Sequence, residues 1–264
     1  MTIEPKTALI TDGQPRTALV TGGARRIGAA CVRDLAAQGF AVAIHYNRSG
    51  DAARELEREI LSTGGKATTV QADLTDLNAT SGMIELASRA LGPIGLLVNS
   101  ASVFEDDDIT NFSWERWDEN FDVHLKAPVL LARAMARLLP AEMNGLVVNI
   151  IDQRVLRPNP RFFSYALSKA ALWDATRMMA QALGPRIRVN AIGPGPTLPN
   201  NRQQQSDFDK QIDGLILKRG PELAEFGRTI TYLFNAMSVT GQMIAIDGGQ
   251  HLAWQTPDVT GMAE

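Results

Sequence analysis

The chain has 264 residues, of which 45% are hydrophobic and 21% are charged, and its formal net charge is −3. This composition is typical of a globular, enzyme-sized protein, and the lack of a basic excess argues against a nucleic-acid partner. The single cysteine, Cys31, cannot form an internal disulfide and fits a reducing compartment. No apolar stretch reaches the roughly 18 residues that a membrane-spanning helix needs. We therefore expect a cytoplasmic protein that binds neither nucleic acid nor membrane.

Short apolar runs alternate with longer amphipathic segments along the chain. Strands are predicted at Thr17–Thr21, Ala41–Tyr46, Ala67–Ala72, Leu96–Asn99, Leu146–Ile151, Arg188–Ile192 and Met243–Ile246. Helices are predicted at Ile27–Gln38, Asp51–Ser62, Asp76–Ala90, Trp114–Leu139, Phe163–Leu183 and Glu222–Ala236. Strands that alternate with helices indicate a doubly wound parallel sheet. We therefore predict an α/β, Rossmann-like fold of about seven strands with helices on both faces, in a single domain spanning 1–264.

Three segments fall outside this alternation. They are an N-terminal extension over 1–16, a segment over 194–220 and a C-terminal tail over 253–264. The middle segment is rich in Pro, Gly, Asn and Gln. Because a long loop in a compact domain is usually functional or mobile, we predict that it forms a lid over the substrate.

The stretch TGGARRIG (Thr21–Gly28) follows the first predicted strand and opens the first predicted helix. Glycines let the backbone approach a pyrophosphate closely, and a helix N-terminus presents free N–H groups to it. A glycine-rich turn alone is weak evidence, but its position after the first strand predicts a dinucleotide site. The candidate residues in this turn are Gly22, Arg26, Ile27 and Gly28.

The end of the second strand indicates which dinucleotide is bound. An NAD site usually carries an acid about 20 residues after the glycine turn, where it holds the ribose 2′-hydroxyl. Here the strand ends in HYNRSG, so Arg48 and Ser49 stand in that place. A guanidinium and a hydroxyl suit a 2′-phosphate, and Arg26 adds a second positive charge. We therefore predict NADP(H), with solvated surface arginines as the alternative. The candidate residues at this strand end are His45, Tyr46, Asn47, Arg48 and Ser49.

The pattern Tyr165-x-x-x-Lys169 opens the helix after the fifth strand. Residues i and i+4 share one face of a helix, so the phenol and the ammonium are expected to lie together. The lysine charge is expected to lower the pKa of the tyrosine and ease proton exchange near neutral pH. The pair therefore predicts a proton-transfer site.

Asp152 stands thirteen residues before the tyrosine. An ionised carboxylate cannot donate a hydrogen bond to a substrate carbonyl. It can accept from a cationic, amino-rich heterocycle, or share a water with Tyr165. We predict that Asp152 is catalytic, with capping of the turn before Pro158 and Pro160 as the structural alternative.

Six motifs occur in the order that resembles the short-chain dehydrogenase/reductase family, from about Thr17 to Leu252. They are TGGARRIG, ADL at 72–74, NSAS at 99–102, YALSK at 165–169, NAIGPG at 190–195 and DGG at 247–249. The loop arginine, HYxRS after the second strand, AS after the fourth and Asp152 further resemble the pteridine reductases and dihydromonapterin/dihydrofolate reductases. The resemblance implies NADPH-dependent reduction of a pterin or folate-like substrate, with Tyr165 as the proton donor.

The resemblance also implies roles for single residues. Phe104 would stack on the pterin beside Ser102, and Lys169 would hold the nicotinamide ribose. Loop packing is the alternative for Phe104, and capping of the following helix is the alternative for Asp73. The further cofactor residues implied are Asp73, Leu74, Asn99, Ala101, Pro194 and Gly195. Family members usually assemble as homotetramers through the helices that correspond to Trp114–Leu139 and Phe163–Leu183.

Two positions depart from the family pattern. Ser100 replaces a common asparagine, and His124 occupies the position of the helix asparagine that completes the catalytic tetrad. We interpret His124 as a satisfied interior histidine, with a proton relay behind Lys169 as the alternative. The histidines show no metal-ligand spacing, so no metal site is proposed.

Charged residues near the predicted site have simpler interpretations. The acidic run Glu105–Asp108 is predicted to be a solvated loop. Arg154 and Arg157 flank the site and are interpreted as surface charges, with recognition of an anionic tail such as a folate glutamate as the alternative.

Two further functions remain open at this stage. A general carbonyl or 3-oxoacyl reductase would use the same fold, but the serine typical of such enzymes is absent at position 152. A catalytically silent NADP-binding regulator is compatible with Ser100 and His124, whereas the intact Tyr165 and Lys169 argue against it.

Overall fold

The computed structural model describes residues 14–199, 204–256 and 260. Most of the predicted N-terminal extension therefore lies outside the described residues, as do 200–203 of the predicted lid and much of the C-terminal tail. No helix in the described ranges is long and apolar enough to cross a membrane.

A single parallel sheet forms the centre of the fold, in the order β3-β2-β1-β4-β5-β6-β7. Its strands are β1 (Thr17–Thr21), β2 (Ala41–Tyr46), β3 (Lys66–Gln71), β4 (Leu96–Asn99), β5 (Gly145–Ile150), β6 (Ile187–Pro194) and β7 (Met243–Ile246). The strand order reverses between β1 and β4, which is where ligands bind in open α/β sheets. The predicted seven-stranded Rossmann-like fold is confirmed.

Helices cover both faces of the sheet because the buried strands carry apolar side chains on both faces. The helices are α1 (Arg26–Ala37), α2 (Gly50–Ser62), α3 (Leu77–Leu91), α4 (Trp114–Phe121), α5 (Ala127–Leu138), α6 (Phe163–Leu183), α7 (Gln205–Asp213) and α8 (Leu223–Asn235). Ala18 and Val20 of β1 pack with α1, α2 and α8, whereas Leu19 between them packs with α3 and α5. This alternation follows from the two-residue period of a strand.

The long helix predicted over Trp114–Leu139 is interrupted. Between α4 and α5 the residues Asp122–Lys126 form a π-helical turn, in which Ala127 N–H donates to the carbonyl of Asp122. Pro128 lies in the first turn of α5 and has no N–H to offer the carbonyl of His124 four residues earlier. The break therefore follows from the proline, and it places His124 in a conformation frequent at functional sites.

The segment predicted as a loop over 194–220 contains one helix, α7. Its polar residues led to the loop prediction, but glutamine is a good helix former and only glycine and proline oppose a helix strongly. None of the α7 residues is fully buried, and Phe208 and Ile212 are half-buried at an i, i+4 spacing. The other predicted boundaries lie within two residues of the observed ones, as is usual for helix and strand ends.

Candidate active site

The β1–α1 turn forms a close-packed glycine cradle. Gly22 has φ +62°, and a Cβ there would stand 2.8 Å from Ala101 Cα. A Cβ on Gly28 would stand 2.2 Å from the Gly22 carbonyl oxygen. Arg25 is the N-cap of α1, and its side chain accepts no hydrogen bond from the first amides of the helix, among them those of Arg26 and Ile27. This geometry suits an anionic group against the helix N-terminus, as a pyrophosphate would require.

The side chain of His45 supports this glycine cradle through a hydrogen bond to Gly22. Its Nδ1 accepts from Gly22 N–H at 3.0 Å, which leaves the proton on Nε2, and Nε2 donates to the Ala72 carbonyl at 3.1 Å. The ring is buried, and burial lowers the pKa of His45 to about 4. A neutral His45 therefore ties the glycine turn to the end of β3. Both ring nitrogens are used, so its side chain positions the predicted cofactor site from behind.

The tip of β2 carries the groups predicted to bind a 2′-phosphate. Asn47 and Arg48 are exposed, and Ser49 is the N-cap of α2 without using its hydroxyl as a capping group. The nearest acid in sequence, Asp51, lies within α2 and is paired with Arg54 at 2.6 Å. The tip therefore offers a guanidinium and a hydroxyl free of helix capping, beside the half-buried ring of Tyr46.

Arg26 does not point toward the β2 tip. It has φ +52°, and its guanidinium donates to the carbonyls of Pro199 at 3.2 Å and Leu198 at 3.3 Å. Arg26 therefore contacts the segment that follows β6, where Pro194 ends the strand and Gly195 packs against Asp247. The guanidinium of Arg26 was expected as a second positive charge at the 2′-phosphate, but in this structure it lies at the predicted lid.

Asp73 is held in a turn ahead of α3. Its Oδ1 accepts from the Thr75 N–H at 3.0 Å and hydroxyl at 2.8 Å. The backbone hydrogen bond from Thr75 is the main cause that lowers the pKa of Asp73, with a smaller contribution from Arg48. The cap of α3 is Asp76, which accepts from the amides of Asn78 and Ala79. The helix-capping alternative for Asp73 is therefore wrong, and its neighbour Leu74 is buried.

The ends of β1, β4 and β5 are joined by buried polar side chains. Thr21 Oγ1 accepts from the amides of Ser100 at 3.0 Å and Ala101 at 3.1 Å. Asn99 Nδ2 donates to Asn149 Oδ1 at 2.8 Å. Thr21 and Asn149 were not among the predicted site residues. Their contacts follow from the aligned registers of Thr21, Asn99 and Asn149 at the ends of β1, β4 and β5. These bonds fix the loop that carries the predicted substrate residues.

Asp152 and Tyr165 form the centre of the predicted proton-transfer site. The Tyr165 hydroxyl donates to Asp152 Oδ2 at 2.9 Å, while Asp152 Oδ1 accepts from the Arg154 N–H at 2.8 Å. The carboxylate therefore caps the 3₁₀ turn Gln153–Val155 and also faces the phenol. Asp152 therefore caps this turn with one oxygen and contacts the phenol with the other, and its catalytic role stays a prediction.

The expected lowering of the pKa of Tyr165 by Lys169 is wrong in this structure. Burial and the adjacent Asp152 raise the pKa of Tyr165 well above its ordinary value. Lys169 Nζ donates instead to the Ile150 carbonyl at 2.8 Å and lies 5.7 Å from the Tyr165 ring centroid. Burial also lowers the pKa of Lys169 to about 8. Tyr165 is therefore held protonated, as a proton donor must be.

His124 is a satisfied interior histidine. Its Nε2 accepts from Val103 N–H at 3.2 Å and lies 3.0 Å from Ser102 Oγ, so its Nδ1 carries the proton and donates to Ser168 Oγ at 2.8 Å. Burial, and secondarily the charge of Lys169, lowers the pKa of His124 well below its ordinary value. Both ring nitrogens face other partners than Lys169, so the proton-relay alternative lacks the contact that it requires. His124 joins the loop after β4 to α6.

Phe104 lies where a stacking residue is predicted. Its ring stacks on Phe162 with centroids 4.3 Å apart and meets the Tyr165 ring edge-on at 4.8 Å. The sequence analysis missed Phe162, which precedes α6 in a left-handed conformation with φ +56°. Ser102 is exposed two residues before Phe104, and its Oγ lies 3.0 Å from His124 Nε2. The aromatic rings therefore flank the Asp152–Tyr165 pair on one side.

The acidic run Glu105–Asp108 is only partly a solvated loop. Asp107 is buried, and it accepts from Ser164 N–H at 3.2 Å and from Ser164 Oγ at 2.5 Å. Asp106 pairs with Arg161 on the chain just ahead of α6. The solvated-loop prediction is wrong for Asp107, because a carboxylate satisfies the free amides of the α6 N-terminus. The run therefore positions the helix that carries Tyr165 and Lys169.

Known proteins share both this fold and much of this sequence. A family model described as short chain dehydrogenase matches residues 16–210. A crystal structure described as FolM alternative dihydrofolate reductase 1 from Brucella canis, complexed with NADP, is 56% identical, with a TM-score of 0.91 over 96% of this chain and 100% of that chain. A 3-oxoacyl-[acyl-carrier-protein] reductase of Synechocystis sp. is 29% identical over 85% of this chain and 92% of its own length.

A third similarity is to a blue fluorescent protein from a metagenomic library in complex with NADPH, which is 30% identical with a TM-score of 0.83 over 90% of this chain and 99% of that chain. The predicted family is confirmed, and the Brucella structure agrees with the branch that the motifs resemble. The chain belongs to the short-chain dehydrogenase family of oxidoreductases.

Proposed function

We propose that the protein is an NADPH-dependent reductase of a pteridine or dihydrofolate-type substrate, with Tyr165 as the proton donor. The observation that carries this proposal is the 2.9 Å hydrogen bond from the Tyr165 hydroxyl to Asp152, beside Phe104. The similarity to a dihydrofolate reductase that binds NADP supports both the substrate class and the cofactor.

The residues present fit the cofactor. Gly22 and Gly28 let the β1–α1 turn pack closely on itself and on Ala101, and the uncapped N-terminus of α1 offers amides to a pyrophosphate. Arg48 and Ser49 would hold the ribose 2′-phosphate, and Lys169 would hold the nicotinamide ribose. When bound, the reduced nicotinamide supplies the hydride for the reaction.

Reduction of a C=N bond also needs a proton at nitrogen, and the chain supplies it. Tyr165 is held protonated by burial and by Asp152, so the phenol can donate when a substrate nitrogen replaces or joins Asp152 as its acceptor. The proton then leaves the Tyr165 oxygen for the substrate nitrogen. The Lys169 ammonium stabilises the resulting phenolate from within the same buried site.

Asp152 favours a nitrogen heterocycle over a simple ketone. A reductase of ketones benefits from a hydroxyl that donates to the carbonyl oxygen, whereas an ionised carboxylate only accepts. An amino-substituted ring presents N–H donors, and these form charge-assisted hydrogen bonds with a carboxylate. Asp152 therefore selects for substrates rich in N–H groups.

A substrate screen tests this function. Oxidation of NADPH is followed with dihydrobiopterin, dihydrofolate, an acetoacetyl thioester and a simple quinone. The proposal expects turnover of the two dihydropteridines. Activity on the thioester alone would instead support the 3-oxoacyl reductase that the 29% identical relative suggests, and tight NADPH binding without turnover would support a silent regulator.

Replacement of the carboxylate tests its role directly. Asp152→Ser should lower kcat with a dihydropteridine at least about tenfold, because Tyr165 loses its partner and the ring loses an acceptor. NADPH affinity should stay unchanged, since the cofactor cradle lies on other loops. Asp152→Asn is the matched control for the 3₁₀ turn, because an amide oxygen can still accept from Arg154 N–H. Unchanged pteridine turnover in Asp152→Ser would show that the role is wrong.

We also propose a homotetramer. Apolar side chains on the outer faces of α4, α5 and α6 support it, because Trp114 and Met178 are both 68% exposed and Leu138 is 47% exposed. These are the helices through which the family resemblance predicts that the subunits pair. A molar mass from light scattering that equals one chain would contradict this proposal.

A further inference from the structure

Arg154 lies in the 3₁₀ turn directly after Asp152 and is only half-buried at the rim of the site. Its guanidinium carbon is 4.7 Å from the centroid of the Phe162 ring and 5.5 Å from that of Phe104. The cation is therefore held against the stacked pair of aromatic rings that flanks Tyr165. Sequence reasoning treated Arg154 as a surface charge, but this packing fixes its side chain in the site.

One nitrogen of this side chain has no partner. Nη1 of Arg154 is buried and makes no hydrogen bond to any described residue. A buried donor on a charged group is costly when it stays unpaired, and a guanidinium cannot lose its charge to avoid that cost. Such an atom is expected where a ligand supplies the missing acceptor.

The neighbouring arginine shows the contrast. Arg161 also lies against Phe162, with 5.4 Å from its guanidinium carbon to the ring centroid, but its nitrogens are paired with Asp106. The Arg154 side chain makes no ion pair with a carboxylate of the described residues, and the Asp152 oxygens accept from the Tyr165 hydroxyl and from the Arg154 main-chain N–H instead. Of these two arginines, the one nearer the proton-transfer pair keeps an unused donor.

We propose that Arg154 binds the substrate, with Nη1 donating to an acceptor on the pteridine ring itself, either a ring nitrogen or the ring carbonyl oxygen. This assignment rests on the proposed function and names a specificity residue of that site. Asp152 then accepts from the N–H groups of the ring and Arg154 donates to its acceptors, which matches a heterocycle that presents both on one edge. A ketone with a saturated chain offers no such pattern.

The buried position of Nη1 favours the ring over a charged tail. A folate glutamate is flexible and directed toward solvent, where an exposed cation such as Arg157 suffices. The ring must enter as far as the Tyr165 hydroxyl, and Arg154 reaches that depth through its contact with Phe104 and Phe162. An experiment can therefore distinguish the pteridine ring from the glutamate tail as the partner of Arg154, since dihydrobiopterin has the ring without the glutamate.

The test compares Arg154→Met with Arg157→Met on dihydrobiopterin and dihydrofolate. Arg154→Met should raise KM about 10- to 100-fold for both substrates, because a charge-assisted hydrogen bond is lost. The effect on kcat should be smaller, and NADPH affinity should be unchanged. Arg157→Met should leave both KM values near those of the wild type. Arg154→Lys keeps the charge without the planar fork and should restore part of the affinity.

Three outcomes overturn the assignment. KM values for Arg154→Met that equal those of Arg157→Met would show that Nη1 binds no substrate atom. A rise in KM confined to dihydrofolate would assign Arg154 to the glutamate tail. A wild-type enzyme that is inactive on both dihydropteridines would overturn the proposed function and the role of Arg154 with it. An active wild type with an unaffected Arg154→Met variant would overturn the role of Arg154 alone. If Arg154→Met fails to bind NADPH, the comparison is decided with Arg154→Lys.

Discussion

The cofactor half and the substrate half of the site are built differently. On the cofactor side, His45 uses both ring nitrogens and Thr21 Oγ1 accepts from two amides, so the loops are tied to each other before any ligand binds. On the substrate side, Arg154 Nη1 and the neighbouring Gln153 Oε1 are buried without a partner among the described residues. The first half is a pre-formed cradle, in which Asn99 Oδ1 also lacks a partner among the described residues, and the second half keeps such groups next to the Asp152–Tyr165 pair.

This difference predicts that the substrate half, rather than the cofactor half, sets substrate selectivity. A cradle of glycines and main-chain amides recognises the pyrophosphate of the cofactor. Because that group is not part of the substrate, the cradle does not distinguish one substrate from another. Under the proposed function, the unpaired donors and acceptors next to Tyr165 would recognise one pattern of atoms, because a wrong substrate would leave them unsatisfied. Variants in the two halves should therefore fail in different measurements.

The largest effect is expected at Tyr165. Tyr165→Phe removes the proton donor and should lower kcat with a dihydropteridine about 100- to 10,000-fold. The Kd for NADPH should not change, since the phenol is not part of the cradle. Tyr232→Phe, an exposed tyrosine on α8, is the control. Wild-type turnover by Tyr165→Phe would show that another group protonates the substrate.

The next effect concerns stability in acid and belongs to the cofactor half. The pKa of His45 is about 4 in the folded chain, below its ordinary value. Below about pH 6.5 the unfolded chain takes up a proton that the folded chain refuses, so stability is lost as pH falls. This loss amounts to about 2 kcal/mol between pH 7 and pH 5.

His45→Asn should remove that part of the pH dependence. Chemical denaturation of both proteins at pH 7 and pH 5 measures it, and the difference between the two pH values separates the titration from any general loss of packing. An equal fall in the free energy of unfolding for both proteins would contradict a neutral, structural His45.

The smallest effect is expected at Arg48. Arg48→Ala should weaken NADPH binding about tenfold and leave NADH binding unchanged, because an exposed guanidinium contributes one charge-assisted contact to the 2′-phosphate. The effect should shrink at high salt. Arg58→Ala, exposed on α2, is the matched control. Equal losses for NADPH and NADH would remove Arg48 from the 2′-phosphate site.

Local patterns predicted most of the fold. Buried apolar runs located the strands, and β1, β2, β4 and β7 have the predicted bounds. The predictions failed where composition hid a local preference, as at α7, or where one proline changed a helix, as at Pro128. The TGGARRIG turn and the Tyr165–Lys169 spacing also located the two halves of the candidate site along the chain, and the roles of these residues stay predictions.

The sheet, the glycine cradle and the identity of the groups available for proton transfer could be predicted from the chain, because they depend on short-range periodicity and residue type. How those groups act on each other depends on contacts that form only in the folded protein. Burial and Asp152, rather than Lys169, set the direction of the pKa shift of Tyr165. Asp107 accepts a hydrogen bond from Ser164, which is far from it in the chain, whereas Arg154 Nη1 has no partner among the described residues. Such contacts depend on packing across the ends of parallel strands, and no local pattern in the chain encodes the desolvation that makes them matter.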